Sequence, residues 1–107
     1  MPTIDDFRKF EFKIAKIIEV LDHPNADKLY VIKIDNGGTE KQIVAGIKLA
    51  YAKEELIGKS VVLIDNLEPA VLRGVESQGM LLAATGTDGV PVLVVPEKAV
   101  EAGAKVK

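Results

Sequence analysis

The sequence predicts an all-β domain: a small closed barrel of five strands, with short helical turns and an extension at each end. Two observations carry this expectation. Val and Ile together number 23 of the 107 residues, against five aromatics and no Trp, and β-branched side chains favour the pleated sheet. The apolar runs are also short and are separated by single Gly and Pro residues, as turns require.

Residues 3–9 are expected to form a short helix, with Thr3 and Asp6 as a capping pair and Ile4 and Phe7 on one side. Residues 11–21 read as a long strand whose alternation breaks at Ile17-Ile18. A strand that changes face midway needs a bulge or a strong bend. His23-Pro24-Asn25-Ala26-Asp27 is a turn. Lys28 to Asp35 is the second strand, with Tyr30, Ile32 and Ile34 on its apolar face. Asn36-Gly37-Gly38 predicts a tight hairpin turn into the third strand, Glu40 to Ile47. Residues 53–57 form a helical turn that stops at Gly58. Ser60 to Asp65 is the fourth strand and residues 66–78 a long loop. Gly79 to Thr85 is the fifth strand, Val92 to Val95 a short sixth, and a further helical turn is expected near residues 97–102. A helical turn between the third and fourth strands suits the oligonucleotide/oligosaccharide-binding (OB-fold) barrel. A β-sandwich fragment would have a similar pattern.

Composition narrows the function. With 48% apolar and 28% charged residues the chain is a globular domain rather than a disordered one. Residues 1–107 read as one domain, without repeats or linkers. The absence of Cys excludes a disulfide framework and a thiolate metal site. No apolar run approaches the roughly 20 residues of a membrane span, and the start lacks a secretory pattern, so a cytoplasmic location is expected. Met1 and the short ends suggest a complete small protein, with a domain of a longer chain as the alternative.

Net charge is −2, so nucleic-acid binding would have to rest on a local basic face. Residues 1–60 balance ten basic against ten acidic side chains, and the only local excess is Arg8, Lys9, Lys13 and Lys16 against Glu11. Catalysis finds little support. His23 is the only histidine and reads as a turn former, and the carboxylates are scattered. Gly37-Gly38 is followed by no phosphate-loop Lys-Ser/Thr. No cofactor or metal is implied.

The segment Asn66 to Thr85 is the least ordinary. Arg73 offers a guanidinium fork suited to phosphate. Ser77 and Gln78 can hydrogen-bond phosphate, a 2′-hydroxyl or a base edge. Met80 can pack on a base or sugar. The alternative is a surface loop with Met80 in the core. Lys33 joins the candidates from its place on the less apolar face of the second strand.

Five blocks occur in order: His23-Pro24-Asn25-Ala26-Asp27-Lys28-Leu29, Ile43-Val44-Ala45-Gly46-Ile47, Glu55-Leu56-Ile57-Gly58-Lys59, Asn66-Leu67 with Pro69, and Arg73 through Ala84. Together they resemble the tRNA-binding domain appended to methionyl-tRNA synthetases. The same module occurs in a free-standing homodimeric tRNA-binding protein and in the endothelial-monocyte-activating polypeptide. The resemblance runs from about Phe7 to the end. It implies an OB-fold barrel without catalytic activity that dimerises and grips the outer corner of the L-shaped tRNA by shape. It also implies a free-standing role or one as a domain or accessory subunit beside a methionyl-tRNA synthetase catalytic chain. On it, Ser77 and Met80 match positions tied to tRNA binding, Arg73 and Gln78 belong to the same motif, and Lys28 matches the lysine of the turn-to-strand motif. A dimeric secretion-related chaperone that binds unfolded peptides shares the expected fold and is the alternative. Apolar residues at both ends, among them Ile4, Phe7, Phe10, Phe12, Val100 and Val106, could bury a two-fold interface or cover the barrel.

Overall fold

Thr3 starts the first element. Its hydroxyl accepts from the Asp6 N–H, and the Asp6 carboxylate accepts from the Thr3 N–H. This reciprocal cap opens α1 (Ile4–Phe7) in the computed structural model, which describes Met1 to Lys107. The strands β1 (Phe12–Asp22), β2 (Tyr30–Asp35) and β3 (Glu40–Ala45) follow. A single helical turn, α2 (Lys53–Leu56), comes next and ends at Gly58 with φ +85°. The remaining strands are β4 (Ser60–Ile64), β5 (Ala70–Leu72), β6 (Val75–Ser77), β7 (Met80–Leu81), β8 (Ala83–Thr85), β9 (Pro91–Leu93) and β10 (Lys105–Val106).

The main sheet runs β3-β2-β1-β4-β7, with β10 added to β1, all antiparallel. Its length in β1 lets that strand pair with β4 through Phe12–Lys16 and with β2 through Lys16–Asp22. The register slips between Ile17 and Glu19. Ile17 therefore points inward, Ile18 is left outside, and Val20 returns to the core. The adjacent apolar pair is the sequence trace of this bulge, which bends the sheet into a barrel.

Tyr30, Ile32 and Ile34 alternate into the core with Ile43, Val61 and Leu63, and Leu56 of α2 joins them. Removing such an aliphatic side chain from water contributes about 1.5–3 kcal/mol each. Phe12, Ile14, Val62 and Ile64 lie on the opposite face of β1 and β4, as Phe12 pairs with Ile64 and Ile14 with Val62. The two chain ends meet on this side. Phe7 stacks on Phe12 at 5.2 Å, and Ile14 exchanges backbone hydrogen bonds with Gly103 and Ala104.

One end of the barrel carries a polar cluster. The buried Asp65 carboxylate receives the Asn36 amide at 2.9 Å, Lys41 Nζ at 2.9 Å and Lys13 Nζ at 3.2 Å. Burial pushes this carboxyl up, but the Asn36, Lys41 and Lys13 donors together outweigh burial and hold it below its ordinary 3.8.

The structure corrects several expectations. The loop over residues 66–78 contains the β5–β6 hairpin, whose three-residue arms, β5 exposed throughout, are too short and too exposed for a periodicity test. The fifth strand is broken at Leu82, which bonds to Val62 and Val94 where the chain passes from β4 to β9. The sixth strand begins one residue earlier, at Pro91, and ends at Leu93. No helical turn forms at 97–102; the tail instead supplies β10. The β2–β3 connection has four residues, Asn36–Thr39, because the Asn36 side chain caps Thr39. Gly37, at φ +96°, has no room for a Cβ: one would lie 2.4 Å from Gly103 Cα. The tail thus seats on that turn.

Replacing Asp65 by Ala should cost about 2–3 kcal/mol, less than a fully buried pair because both lysines reach solvent. Because the folded carboxyl is depressed, its contribution is complete above about pH 4 and is lost as pH falls through the lowered value. Thermal melts from acid to neutral pH should show wild type losing its advantage over Asp65→Asn at the acid end. A constant gap would contradict this.

Candidate nucleic-acid interface

Leu72 and Val75 pair across a two-residue turn, Arg73-Gly74. Both turn residues have positive φ, +53° and +90°, which is what a tight hairpin demands. Gly74 takes this at no steric cost. Arg73 pays about 1–2 kcal/mol for a left-handed conformation, so its neighbours must hold it there. Its Nη2 donates to the Asn25 carbonyl at 3.1 Å, and Asn25 Nδ2 lies 3.5 Å from the Arg73 carbonyl. The β1–β2 loop and the hairpin tip therefore enclose a cleft of about 370 Å³ lined by Asn25 to Leu29 and Arg73. Lys28 stands exposed in this cleft.

His23 is buried beneath the loop. Its Nε2 lies 2.9 Å from the Leu72 carbonyl, and its Nδ1 accepts from the Asn25 N–H at 2.9 Å. At the base of the hairpin, Ser77 is only 5% exposed. Its hydroxyl accepts from the Val44 N–H at 2.9 Å and donates to the Gly79 carbonyl at 3.0 Å. Gln78 is also turned toward the barrel. Its Oε1 accepts from the Gln42 N–H at 2.9 Å, and its own N–H donates to the Gln42 carbonyl at 2.8 Å. Ser77 Oγ and Gln78 Oε1 thus both accept from backbone N–H groups of β3.

Met80, 47% exposed, forms the wall of an apolar groove of about 240 Å³ with Val44, Leu67 and Leu72. Gly79 beside it is tight: a Cβ there would lie 3.0 Å from the Ile64 carbonyl oxygen. Lys33 sits on the outer face of β2, between Glu19 of β1 and Gln42 of β3 in the register. The structure therefore gathers Lys28 and Arg73 in one cleft, places Met80 in the adjoining groove and puts Lys33 on the neighbouring strand face. Ser77 and Gln78 lie behind them. Sequence reasoning missed Asn25 and Gln42. Asn25 was visible only as a turn residue, and nothing in the alternation of β3 marks Gln42.

The charges sort in the same way. Arg8 pairs with Asp5, Lys9 with Asp6 and Lys13 with Asp65, so the basic excess near the start is largely neutralised. Lys48 and Lys53 both contact Asp22 at 3.1 Å, and their hydrogen bonds, Lys48 foremost, hold that carboxyl below its ordinary value. Lys28, Lys33 and Arg73 enter none of the six ion pairs.

A barrel of this order, with unpaired cations and apolar surface on its loops and strand face, is a binding module of the OB-fold class. The chain belongs to the family described as "Putative tRNA binding domain", which matches residues 12–105. It is 54% identical over 105 residues to the methionine–tRNA ligase of Pyrococcus furiosus, covering 98% of this chain and 14% of that protein. The chain thus spans about one seventh of the length of such curated relatives. Among solved structures it resembles the methionyl-tRNA synthetase related protein from Pyrococcus horikoshii, with TM-score 0.92, 36% identity and coverage of 100% of this chain and 98% of that one. It also resembles the CsaA chaperone protein from Picrophilus torridus, with TM-score 0.91, 33% identity and full coverage of both chains.

Ser77→Ala should strand the buried Val44 N–H and cost about 1–3 kcal/mol. Chemical denaturation measures it directly. A change below a few tenths of a kcal/mol would mean that Ser77 does not hold β3.

Proposed function

We propose that this chain is a non-catalytic module that binds folded tRNA at the outer corner of the L, through shape and backbone, as a homodimer in the cytoplasm. It works free-standing or beside a methionyl-tRNA synthetase catalytic chain, where it raises the local tRNA concentration. The observation that carries this reading is the juxtaposition of unpaired Lys28 and Arg73 in one cleft with the Met80 groove alongside. Cations on a cleft suit phosphate, and the groove suits a sugar or base face. Duplex RNA hides its base edges in a deep, narrow groove, so its backbone and overall shape are what a protein can read. Tyr30 lies in the core and Tyr51 packs against it, which leaves no aromatic stacking platform on the cleft and favours shape over sequence.

Self-association is supported by the exposed apolar residues where the chain ends meet, Ile4, Phe7 and Phe10, and by Val92, Val94 and Val95. Such an area suits a self-complementary two-fold interface. The likeness to the Picrophilus chaperone supports a second reading, in which the Met80 groove holds unfolded peptide.

Fluorescence anisotropy with folded tRNA, an unstructured RNA of equal length and an unfolded peptide separates the two readings. Folded tRNA should bind tightest, and its affinity should fall with salt at a shallow slope, because few phosphates are engaged. Arg73→Ala should weaken all tRNAs about equally, by roughly 3- to 30-fold. Preference for the peptide would favour the chaperone reading. Light scattering at micromolar concentration should give twice the chain mass; a monomer mass would remove the dimer.

A further inference from the structure

We propose that His23 is a positioning residue: it fastens the β1–β2 loop to the β5–β6 hairpin, so that Lys28 and Arg73 meet tRNA as one preorganised pair of cations. The inference deepens the tRNA reading above and rests on it.

The two cations come from segments 45 residues apart in the chain, and neither segment belongs to the main sheet. Each is a short turn that would otherwise move independently. His23 bridges them below the surface. The Asn25 N–H can only donate and the Leu72 carbonyl can only accept, so the two contacts fix the ring as the neutral Nε2–H tautomer. One ring nitrogen thus sets the Asn25 backbone and the other sets the residue preceding Arg73. The reciprocal Asn25–Arg73 contacts close the same circuit from above. Arg73 is held in its left-handed conformation from both sides, with guanidinium N–H groups beyond the one given to Asn25 left for a ligand. Preorganisation of this kind raises affinity by removing an ordering cost, without a new contact.

A positioning residue that acts through Arg73 has a distinctive thermodynamic mark: its effect depends on Arg73 being present. The test is a double-mutant cycle of His23→Ala and Arg73→Ala, read by anisotropy with folded tRNA. His23→Ala should weaken binding about tenfold in the wild-type background and about twofold or less when Arg73 is already Ala. His23→Gln, which keeps one donor and one acceptor, should retain most of the affinity. Equal losses in both backgrounds, or an Ala variant that binds as wild type does, would overturn the proposal. Should His23→Ala fail to fold, the wild-type chain decides through a long-range proton–nitrogen spectrum of its single imidazole. A fixed Nε2–H tautomer with a protected Asn25 amide supports the lock, whereas an Nδ1–H tautomer or an averaged ring rejects it. A wild-type chain that ignored tRNA while keeping that tautomer would overturn the tRNA reading and leave the lock standing as a feature of the fold.

Discussion

The structure depends on how the open ends of its sheet are joined. The path β3-β2-β1-β4-β7 leaves β3 at one edge and β7 at the other, and a bare edge is both a loss of hydrogen bonds and an invitation to foreign strands. No regular ladder joins them. Side chains take its place: Gln78 serves the Gln42 N–H, Ser77 serves the Val44 N–H, and Gln42 Nε2 reaches the Glu76 carbonyl. One backbone bond, Gln78 N–H to the Gln42 carbonyl, completes the seam. The bulge at Ile17–Glu19 supplies the curvature, and this seam fixes its end point.

Closure in this form decides what the surface can present. On this side the seam residues Glu76 to Gln78 end the β5–β6 hairpin and lead through Gly79 into Met80. Fastening Ser77 and Gln78 to β3 therefore sets the hairpin on one side and Met80 on the other. Gly79 permits it, because a Cβ there would lie 3.0 Å from both the Ile64 carbonyl oxygen and Leu63 Cδ1. A motif that reads in sequence as a row of ligand contacts is, in space, two layers. Ser77 and Gln78 build the wall, while Arg73 and Met80 stand on its outer side.

What was legible in the sequence was whatever depends on near neighbours. Thr3 with Asp6, the Tyr30-Ile32-Ile34 alternation, the face change at Ile17-Ile18 and the stop at Gly58 each record a local rule, and each is present in the fold. Partners distant in sequence left no such trace. The pairing of Phe12 with Val106, the seating of Gly103 on Gly37 and the meeting of Asp65 with Lys13 and Lys41 all join remote segments. The site divides likewise. Arg73 and Lys28 could be nominated as cations, but only the folded chain shows that Asn25 and His23 bring them to one cleft. Ser77 was nominated for its hydroxyl, and that hydroxyl belongs to the seam.

Charge placement resolves the tension between an acidic chain and a polyanionic ligand. A net charge of −2 gives no long-range attraction, and at physiological salt a field is screened within about 8 Å in any case. At short range the cations without internal partners are the ones free to meet a phosphate. Six of the fourteen basic side chains are tied to Asp5, Asp6, Asp22 and Asp65. These pairs hold the start of the chain, the polar end of the barrel and α2, not the cleft. Lys28, Lys33 and Arg73 are among the eight that escape that pairing. A module built this way gains little from general electrostatic attraction and must recover affinity from geometry, through a preorganised cleft. A stiff, sparsely charged surface discriminates by fit, because an RNA that does not match its spacing gains nothing from a surrounding positive field.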